Sequence, residues 1–594
     1  MTPAARDREH LDATAPGSRD LSGLVLGCVL IVLVGAVLPA LIAQREGALA
    51  LPRSDDWSYL LSLFRWVDDG VLGFNNWAGT TLIGQLALAA PIAALFPRSI
   101  TAVHVASAVV SGLGLLAVVV LCRPLMRDTW TVGVALTIAV GPLWLALAPT
   151  FMTDNWAFGL QILGIALAFE AFRRRDPVHV GWFAASLAVG FVAIAIRQYA
   201  LVPVIACSIV AVGRAAAARD RRTLRRLAGL LAVAAVAVAV LLGWWLQRPT
   251  LDTLPMRMPD AERVRATIEL DLGYLRLLGL LLAPVVVLAG PVRIVRRALE
   301  ASRGVTAAVV IVAGGALALE QLRYPALPFV GNYVTRSGVL GLDVLVGARP
   351  DVLPRAIYEL LVWGASASAV VILVAAVPVV VRFGREGMPW STLVGTRDPM
   401  AAVCGWCFAG FALVFTGIGL VHLPKGDRYI LPVLPLVAIA LLRAAARDEA
   451  AAAPEARHAG PPTAAAVGAL ITLAGLFLVG VAFTVESASF DATRWEVAER
   501  AVRATGLAPT QVDGGFEWVA WHRRTGPPVS EFLTDAERRG VMRAYREPFC
   551  VVVAVNPHVA RSRIVAEGVV SAPARSDARI VAYRLDRPDC PSGG

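Results

Sequence analysis

"LPRSDDWSYLLSLFRWVDDG", residues 51–70, sets two adjacent acids, Asp55 and Asp56, between Ser54 and the aromatics Trp57 and Tyr59. It follows closely on an apolar run over 21–43. A solvated loop tip accounts for the charge, but not for the aromatics or the amphipathic stretch that follows. What the segment does depends on whether the run before it crosses a membrane, and on which side the acids then emerge.

Composition answers the first point. Of 594 residues, 57% are hydrophobic and 17% charged, with a mean hydropathy of +0.66; a soluble chain carries about 25% charged residues. Repeated apolar runs of membrane length can cross a hydrocarbon core of about 30 Å. The chain reads as an all-α polytopic membrane protein whose first partner is the lipid bilayer. A net charge of +11 invites a nucleic-acid partner. There are no basic–aromatic clusters to support one, and basic residues in short cytoplasmic loops orient membrane helices.

Apolar runs bounded by charge or Pro predict about thirteen spans, near 21–43, 100–121, 130–148, 155–172, 178–196, 199–213, 227–246, 273–291, 304–320, 357–381, 400–421, 429–442 and 463–485. With a cytoplasmic tail over 1–20, the inward segments hold 24 Arg, whereas the short outward turns at 149–154, 196–198 and 422–428 hold only Arg197, Lys425 and Arg428. That asymmetry sets the orientation N-in. An odd number of spans then places 486–594 outside. The first run is too long for a signal-peptide core and reads as a retained span. Of seven Cys, Cys550 and Cys590 lie in the outer C-terminal region, where a disulfide suits an oxidising compartment. The CGWC at 404–407 lies inside an apolar span and reads as small core residues.

The loop over 44–99 therefore faces outward, with stretches too short to span that read as helices along the membrane surface. Asp55 and Asp56 suit an N-cap and first-turn acid there. Three further outer sites share that interface. "PTFMTDNWAF", 149–158, puts Asp154 and Asn155 at a helix start. "IRQYA", 196–200, puts Arg197 and Tyr199 in a tight turn, where snorkelling explains the Arg as well as ligand binding does. "VHLPKGDRYILPVLPL", 421–436, gathers His422, Lys425, Asp427 and Arg428; Lys425 is the one lysine against 54 arginines. Outer positive charge runs against the orientation rule, and phosphate oxygens at the membrane surface give it a purpose. Carboxylates that accept a hydroxyl proton, beside cations that stabilise a leaving phosphate, are the parts of a transferase acting on a phosphate-linked lipid.

With these elements in order, the chain resembles the GT-C superfamily of integral-membrane glycosyltransferases, nearest the branch of protein O-mannosyltransferases and lipid A aminoarabinose transferases. "SDDWSY" at 54–59 is similar to that family's acidic pair in a long first outer loop, "MTDNW" at 152–156 to its second-loop acid, and "RYILPVLPL" at 428–436 to the run opening a late span. The likeness covers 21–485, more by layout than by identity. It implies a polyprenyl-phosphate-linked sugar donor and inverting transfer. Asp55 becomes the base, with Asp56 and Asp154 positioning the acceptor or tuning that base. It implies further that Lys425 and Arg428 bind the donor phosphate, with His422, Arg197 and Arg336 assisting, and that Trp57, Tyr59, Asn155, Tyr199 and Tyr429 position substrate. No interior insertion is large enough for the β-trefoil of protein O-mannosyltransferases, which favours a cell-envelope glycan or lipid acceptor over protein. No metal ligand set is evident beyond the Asp pair, which leaves a divalent cation open.

Beyond 485 the apolar runs shorten. "ATRWEVAERAVRATG" reads as an amphipathic helix, and "FCVVVAV" and "ARIVAYRL" as strands of a small extracytoplasmic α/β domain. "DGGFEWVAWHRR", 513–524, supplies either core aromatics or a surface for stacking sugars. The rival readings are a flippase or transporter of lipid-linked sugars and an O-antigen-type polymerase or ligase. Transporters place polar groups near the midplane, and here they gather at one interface. The preference for Arg over Lys and the Ala richness suggest a high-GC bacterium, hence a bacterial plasma membrane with the active site on its outer side.

Overall fold

The computed structural model describes residues 21–75, 77–248, 258–323, 328–330, 333–339, 347, 349–387, 390–396, 398–421, 426–452, 463–524, 549–555, 562–570 and 578–590. Among these, ten helices are long and apolar enough to cross a membrane, or eleven if Ala261–Leu281 and Ala283–Ala289, bent by 63°, form one span. All thirteen expected runs fall on helices, but three do not make one long continuous span: 273–291 contains the 63° bend, and the other two are 130–148 and 178–196. The run over 130–148 divides into Asp128–Ala139 and Pro142–Leu147. Pro142 lacks an N–H and disfavours helical geometry at Gly141, which is extended at φ −62°, ψ 138°. The run over 178–196 forms Val180–Ile194, 15 residues, about 22 Å at 1.5 Å per residue.

The two ends of the bundle differ. At one, the arginine-rich loops tie to each other: Arg214 donates to the carbonyls of Pro177 and Gly395 at 3.0 and 2.7 Å, Arg297 to that of Ala444 at 3.1 Å, and Arg443 pairs with Asp398 at 3.0 Å. At the other lie the first long loop and the C-terminal region, joined where Trp57 packs on Phe516 of the short helix Phe516–Arg523 and Asn75 donates to the Arg524 carbonyl. The first loop carries two short helices, Asp56–Asp69 and Ile83–Leu95. The first ends at Gly70, whose φ of +67° favours glycine. The second docks through Leu82 N–H on the Ile196 carbonyl and Gly84 N–H on the Ala195 carbonyl, at 3.2 and 2.9 Å. That docking fixes the corner from which Arg197 projects.

The last span does not stop at the membrane. Thr463–Thr505 is one helix of 43 residues, about 65 Å long. The expected domain boundary at 485 thus falls inside a continuous element, because "ATRWEVAERAVRAT" keeps helical periodicity with no breaker before Gly506. The helix packs on Ala283–Ala289 and Pro142–Leu147 lower down and on strand Ser562–Val570 above. The sheet runs in the order 512–513, 551–555, 578–585, 562–570, with the first pair parallel and the others antiparallel. The two edge strands, 512–513 and 562–570, were not expected from sequence. Cys550 and Cys590 form a disulfide with an S–S distance of 2.09 Å. The CGWC cysteines, Cys404 and Cys407, are free and buried.

Two predictions follow from this packing. A Cβ on Gly279 meets the Ala365 carbonyl oxygen at 2.1 Å and the Ala369 nitrogen at 2.7 Å, both backbone atoms that cannot swing aside. Gly279→Val is therefore expected to destabilise the protein by about 1–3 kcal/mol or more. Gly364→Ala, inside a helix and with nothing within 4 Å, is expected to keep or slightly raise the thermal midpoint in detergent; equal midpoints for the two variants contradict the close helix approach. Separately, burial pushes the Asp513 carboxyl up to about 6. The fold holds that proton more tightly than the unfolded chain does, so its contribution is full below about pH 4 and fades as pH rises towards 6. Asp513→Asn keeps the oxygen that accepts from Gly515 N–H at 3.1 Å and removes the titration. Its thermal midpoint, relative to wild type, is expected to be higher at about pH 7 than at about pH 4.5; an equal offset at both refutes it.

Candidate functional site

The site begins where the backbone turns from Pro52 into the first loop helix. Ser54 has a φ of +55°, a left-handed conformation uncommon outside glycine. Asp55 follows at the N-cap position, yet its side chain makes no capping bond. Its Oδ1 accepts from Trp77 Nε1 at 2.7 Å and its Oδ2 from Arg428 Nη2 at 2.9 Å. The carboxylate stays 23% exposed.

Asp56, one residue on, faces a different environment. It is fully buried and accepts from the N–H groups of Arg53 at 2.5 Å and Phe151 at 3.3 Å. His104 Nε2 lies 3.0 Å from its Oδ2, while His104 Nδ1 lies 2.9 Å from the Leu49 carbonyl. Both ring nitrogens face oxygens, so each contact carries a proton, and one lies between the imidazole and Asp56. Burial raises the Asp56 carboxyl above the usual range, opposed by His104 and the two N–H donors. The acidic pair thus separates into an accessible member and one that pins the loop to span Ile100–Cys122.

Arg428 joins three segments distant in sequence. Beyond Asp55, its Nε lies 3.3 Å from Asp154 Oδ2, at ion-pair distance without hydrogen-bond alignment. Arg197 Nη2 donates to the same Asp154 oxygen at 2.7 Å, and the Tyr199 hydroxyl donates to Oδ1 at 3.2 Å. Asp154 has no exposed side-chain surface. Tyr429 lies under the Arg197 guanidinium at 5.1 Å and beside Tyr199 at 5.6 Å. Next to Arg428, buried Asp427 accepts from the N–H groups of Tyr333, Val334 and Arg428 at 2.7–3.0 Å, which holds segment 333–334 against this corner.

Other expected site residues are placed differently. Trp57 and Tyr59 are buried, with Trp57 edge-on to Phe516 at 5.8 Å. Asn155 points to Ser111, donating at 2.9 Å. Arg336 pairs with Asp351 and lies over Tyr358 at 5.2 Å, outside the Asp55 network. His422 and Lys425 lie outside the described residues.

Sequence reasoning missed three groups. Trp77 is the second partner of Asp55. Arg53 is buried, donates from Nε to Asp491 at 2.9 Å and from Nη2 to Ser487 at 2.7 Å, and so ties the acidic loop to the long helix. Asp491 also accepts from Arg494 at 3.3 Å, and Arg494 pairs with Glu517 at 2.9 Å. Arg248 is buried over Phe74 at 4.4 Å, with Nη2 donating to the carbonyls of Ala78 and Thr80. Its Nε and Nη1 have no partner among the described residues. Burial without an acid beside it pulls the Arg248 guanidinium down to about 10. The sequence held a signal for it: "WLQRPT" sets an Arg at an end of a span that the arginine bias assigns to the outside, against the orientation rule, as at Arg197. Among the described residues no group of three or more His, Cys, Asp or Glu is arranged to hold a metal ion.

No protein-family model matches the sequence, and no curated protein matches it. In structure, the chain is similar to ArnT from Cupriavidus metallidurans bound to undecaprenyl phosphate, at 14% identity and a TM-score of 0.42, over 95% of this chain and 98% of that one. It is similar also to the Archaeoglobus fulgidus oligosaccharyltransferase in the apo form, at 13% identity and a TM-score of 0.41, over 88% and 69% of the two chains. The oligosaccharyltransferase AglB from Archaeoglobus fulgidus, in complex with an inhibitory peptide and a dolichol-phosphate, gives 14% identity and a TM-score of 0.38 over the same shares.

Removing one partner of a buried ion pair destabilises by about 3–5 kcal/mol, because the other charge is stranded. Asp154→Asn is expected to lower the thermal midpoint sharply. Adding Arg197→Gln to that variant should cost far less than Arg197→Gln alone. Simple additivity in that double-mutant cycle argues against the pairing.

Proposed function

We propose that the chain is a glycosyltransferase of GT-C layout, moving a sugar from a polyprenyl-phosphate donor to a glycan or lipid acceptor at the outer face of a bacterial plasma membrane. The observation that carries this reading is Asp55. It is an accessible carboxylate at a membrane-boundary corner, held at 2.9 Å by an arginine from a span 373 residues away. Each of its oxygens accepts one hydrogen bond and keeps a lone pair for a substrate hydroxyl.

The chemistry is a single displacement. The acceptor hydroxyl gives its proton to Asp55 while its oxygen attacks the anomeric carbon. The bond to the phosphate oxygen breaks on the opposite face, and the lipid phosphate leaves with the electron pair, so configuration inverts. One free carboxylate suffices for this, and Asp56 and Asp154 are both buried and fully engaged. Their roles are to position: Asp56 fixes the loop, and Asp154 orients Arg428 and Arg197.

Charge balance refines the donor site. Arg197 and Arg428 are matched by Asp55 and Asp154, so the leaving phosphate is better served by cations without an acid partner. Arg248 is such a cation, its Nε and Nη1 without a partner among the described residues, and Lys425 is the other group we assign to the phosphate. A long prenyl chain keeps the donor in the bilayer at about 0.8 kcal/mol per buried CH₂, beside a site at the membrane boundary.

Asp55→Asn is expected to fold normally and to lose transfer in membranes from polyprenyl-phosphate sugars, whereas Asp69→Asn keeps it. Wild-type activity in Asp55→Asn defeats the catalytic assignment. Arg248→Ala and Lys425→Ala should raise the KM for the lipid donor with a smaller effect on kcat; an unchanged donor dependence removes their phosphate role.

A further inference from the structure

A cleft of about 350 Å³ lies between the long helix, the short helix Phe516–Arg523 and the loop segment 50–52, reaching Ile100 at the end of a span. Trp495, Glu499 and Arg503 enter it from the long helix, and Trp518, Trp521 and His522 from the short one. At 100° per residue, these last three project from the side of the short helix opposite Phe516. Phe516 packs on Trp57 and Trp77, the second of which bonds to Asp55. The cleft is therefore separated from the Asp55 corner by the breadth of one helix.

The lining has a distinct chemistry. Indole groups form the walls, with Trp495 edge-on to Trp518 at 5.0 Å and His522 tilted against Trp518 at 4.1 Å. His522 Nδ1 donates to the Trp518 carbonyl at 2.8 Å, which leaves Nε2 as a lone-pair acceptor. At the rim, Glu499 and Arg503 pair at 3.6 Å and cancel each other's charge. Such a rim attracts neither a phosphate nor a cation. It does offer a carboxylate acceptor, a guanidinium donor and an imidazole acceptor around an aromatic wall. A ligand that matches is neutral, carries several hydroxyls and has an apolar ring face. The volume is at the small end of ligand sites and holds about one or two pyranose rings.

We infer that this cleft is a saccharide-binding subsite for neutral sugar units, apart from the chemistry at Asp55 and independent of the transfer reading. Trp521 supplies the stacking face, and Glu499, Arg503 and His522 supply the hydroxyl contacts.

The test is saturation-transfer difference NMR on the full chain in lipid nanodiscs, with maltotriose, cellotriose and α-1,6-mannotriose each at millimolar concentration. Transfer to ring protons of at least one trisaccharide is expected in wild type and in Asp55→Asn, so a failure of the transfer reading does not affect the outcome. Glu499→Gln, an exposed change that leaves packing intact, should weaken binding about tenfold through loss of a charge-assisted hydrogen bond. Trp521→Ala should abolish it. The inference is overturned by no transfer from any of the three sugars, by signals unchanged in Glu499→Gln, or by displacement of the sugar with inorganic phosphate, which would make the cleft an anion site.

Discussion

A guanidinium withdrawn from water is costly unless acids meet it, and Arg428 meets two, Asp55 and Asp154, from separate segments of the chain. Burying these charges singly is expensive; burying them as an alternating set of Asp55, Arg428, Asp154 and Arg197 lets each ion answer the next. That set fixes the late span opened by "RYILPVLPL", the first loop and the 196–200 turn against one another. Within it the members differ in access. Asp154 is sealed, while Asp55 keeps a solvent-facing edge.

A second buried set supports the first from outside the membrane. Arg53 stands two residues before Asp55 and is anchored on Asp491 and Ser487 of the long helix. Asp491 in turn shares Arg494 with Glu517 of the short helix beside the loop. With Ser54 held in a left-handed conformation between these anchors, the direction in which Asp55 leaves the backbone is set by contacts on both sides of it. Asp56 completes the arrangement by bonding back to Arg53 N–H and across to His104.

Much of this was legible in the sequence, for definite physical reasons. Spans declare themselves through apolar length, and sidedness through arginine bias, so the first loop, the 149–154 turn, the 196–198 turn and the 427–428 corner could be assigned to one face before any coordinate was known. The contact of Asp55 with Arg428 across 373 residues could be expected as a common interface, but not as a bond. What sequence could not show was which member of Asp55 and Asp56 is exposed, because that depends on N–H groups and an imidazole supplied by other segments. Trp77, an aromatic in a polar loop, gave no signal of its hydrogen bond. The breaks at Pro142 and the continuity of helix 463–505 were missed for opposite reasons. Hydropathy ignores a missing donor inside an apolar run, and it ends a span at the first charges even where helical periodicity carries on.

That continuity has a mechanical consequence. A helix that runs without interruption from the bundle to the face of a sheet acts as a fixed mast: its Arg494 holds the short helix through Glu517, and Arg53 straps the first loop to it through Asp491 and Ser487. The acidic loop and the C-terminal sheet are thereby carried on one rigid element, so a displacement of either is passed to the other.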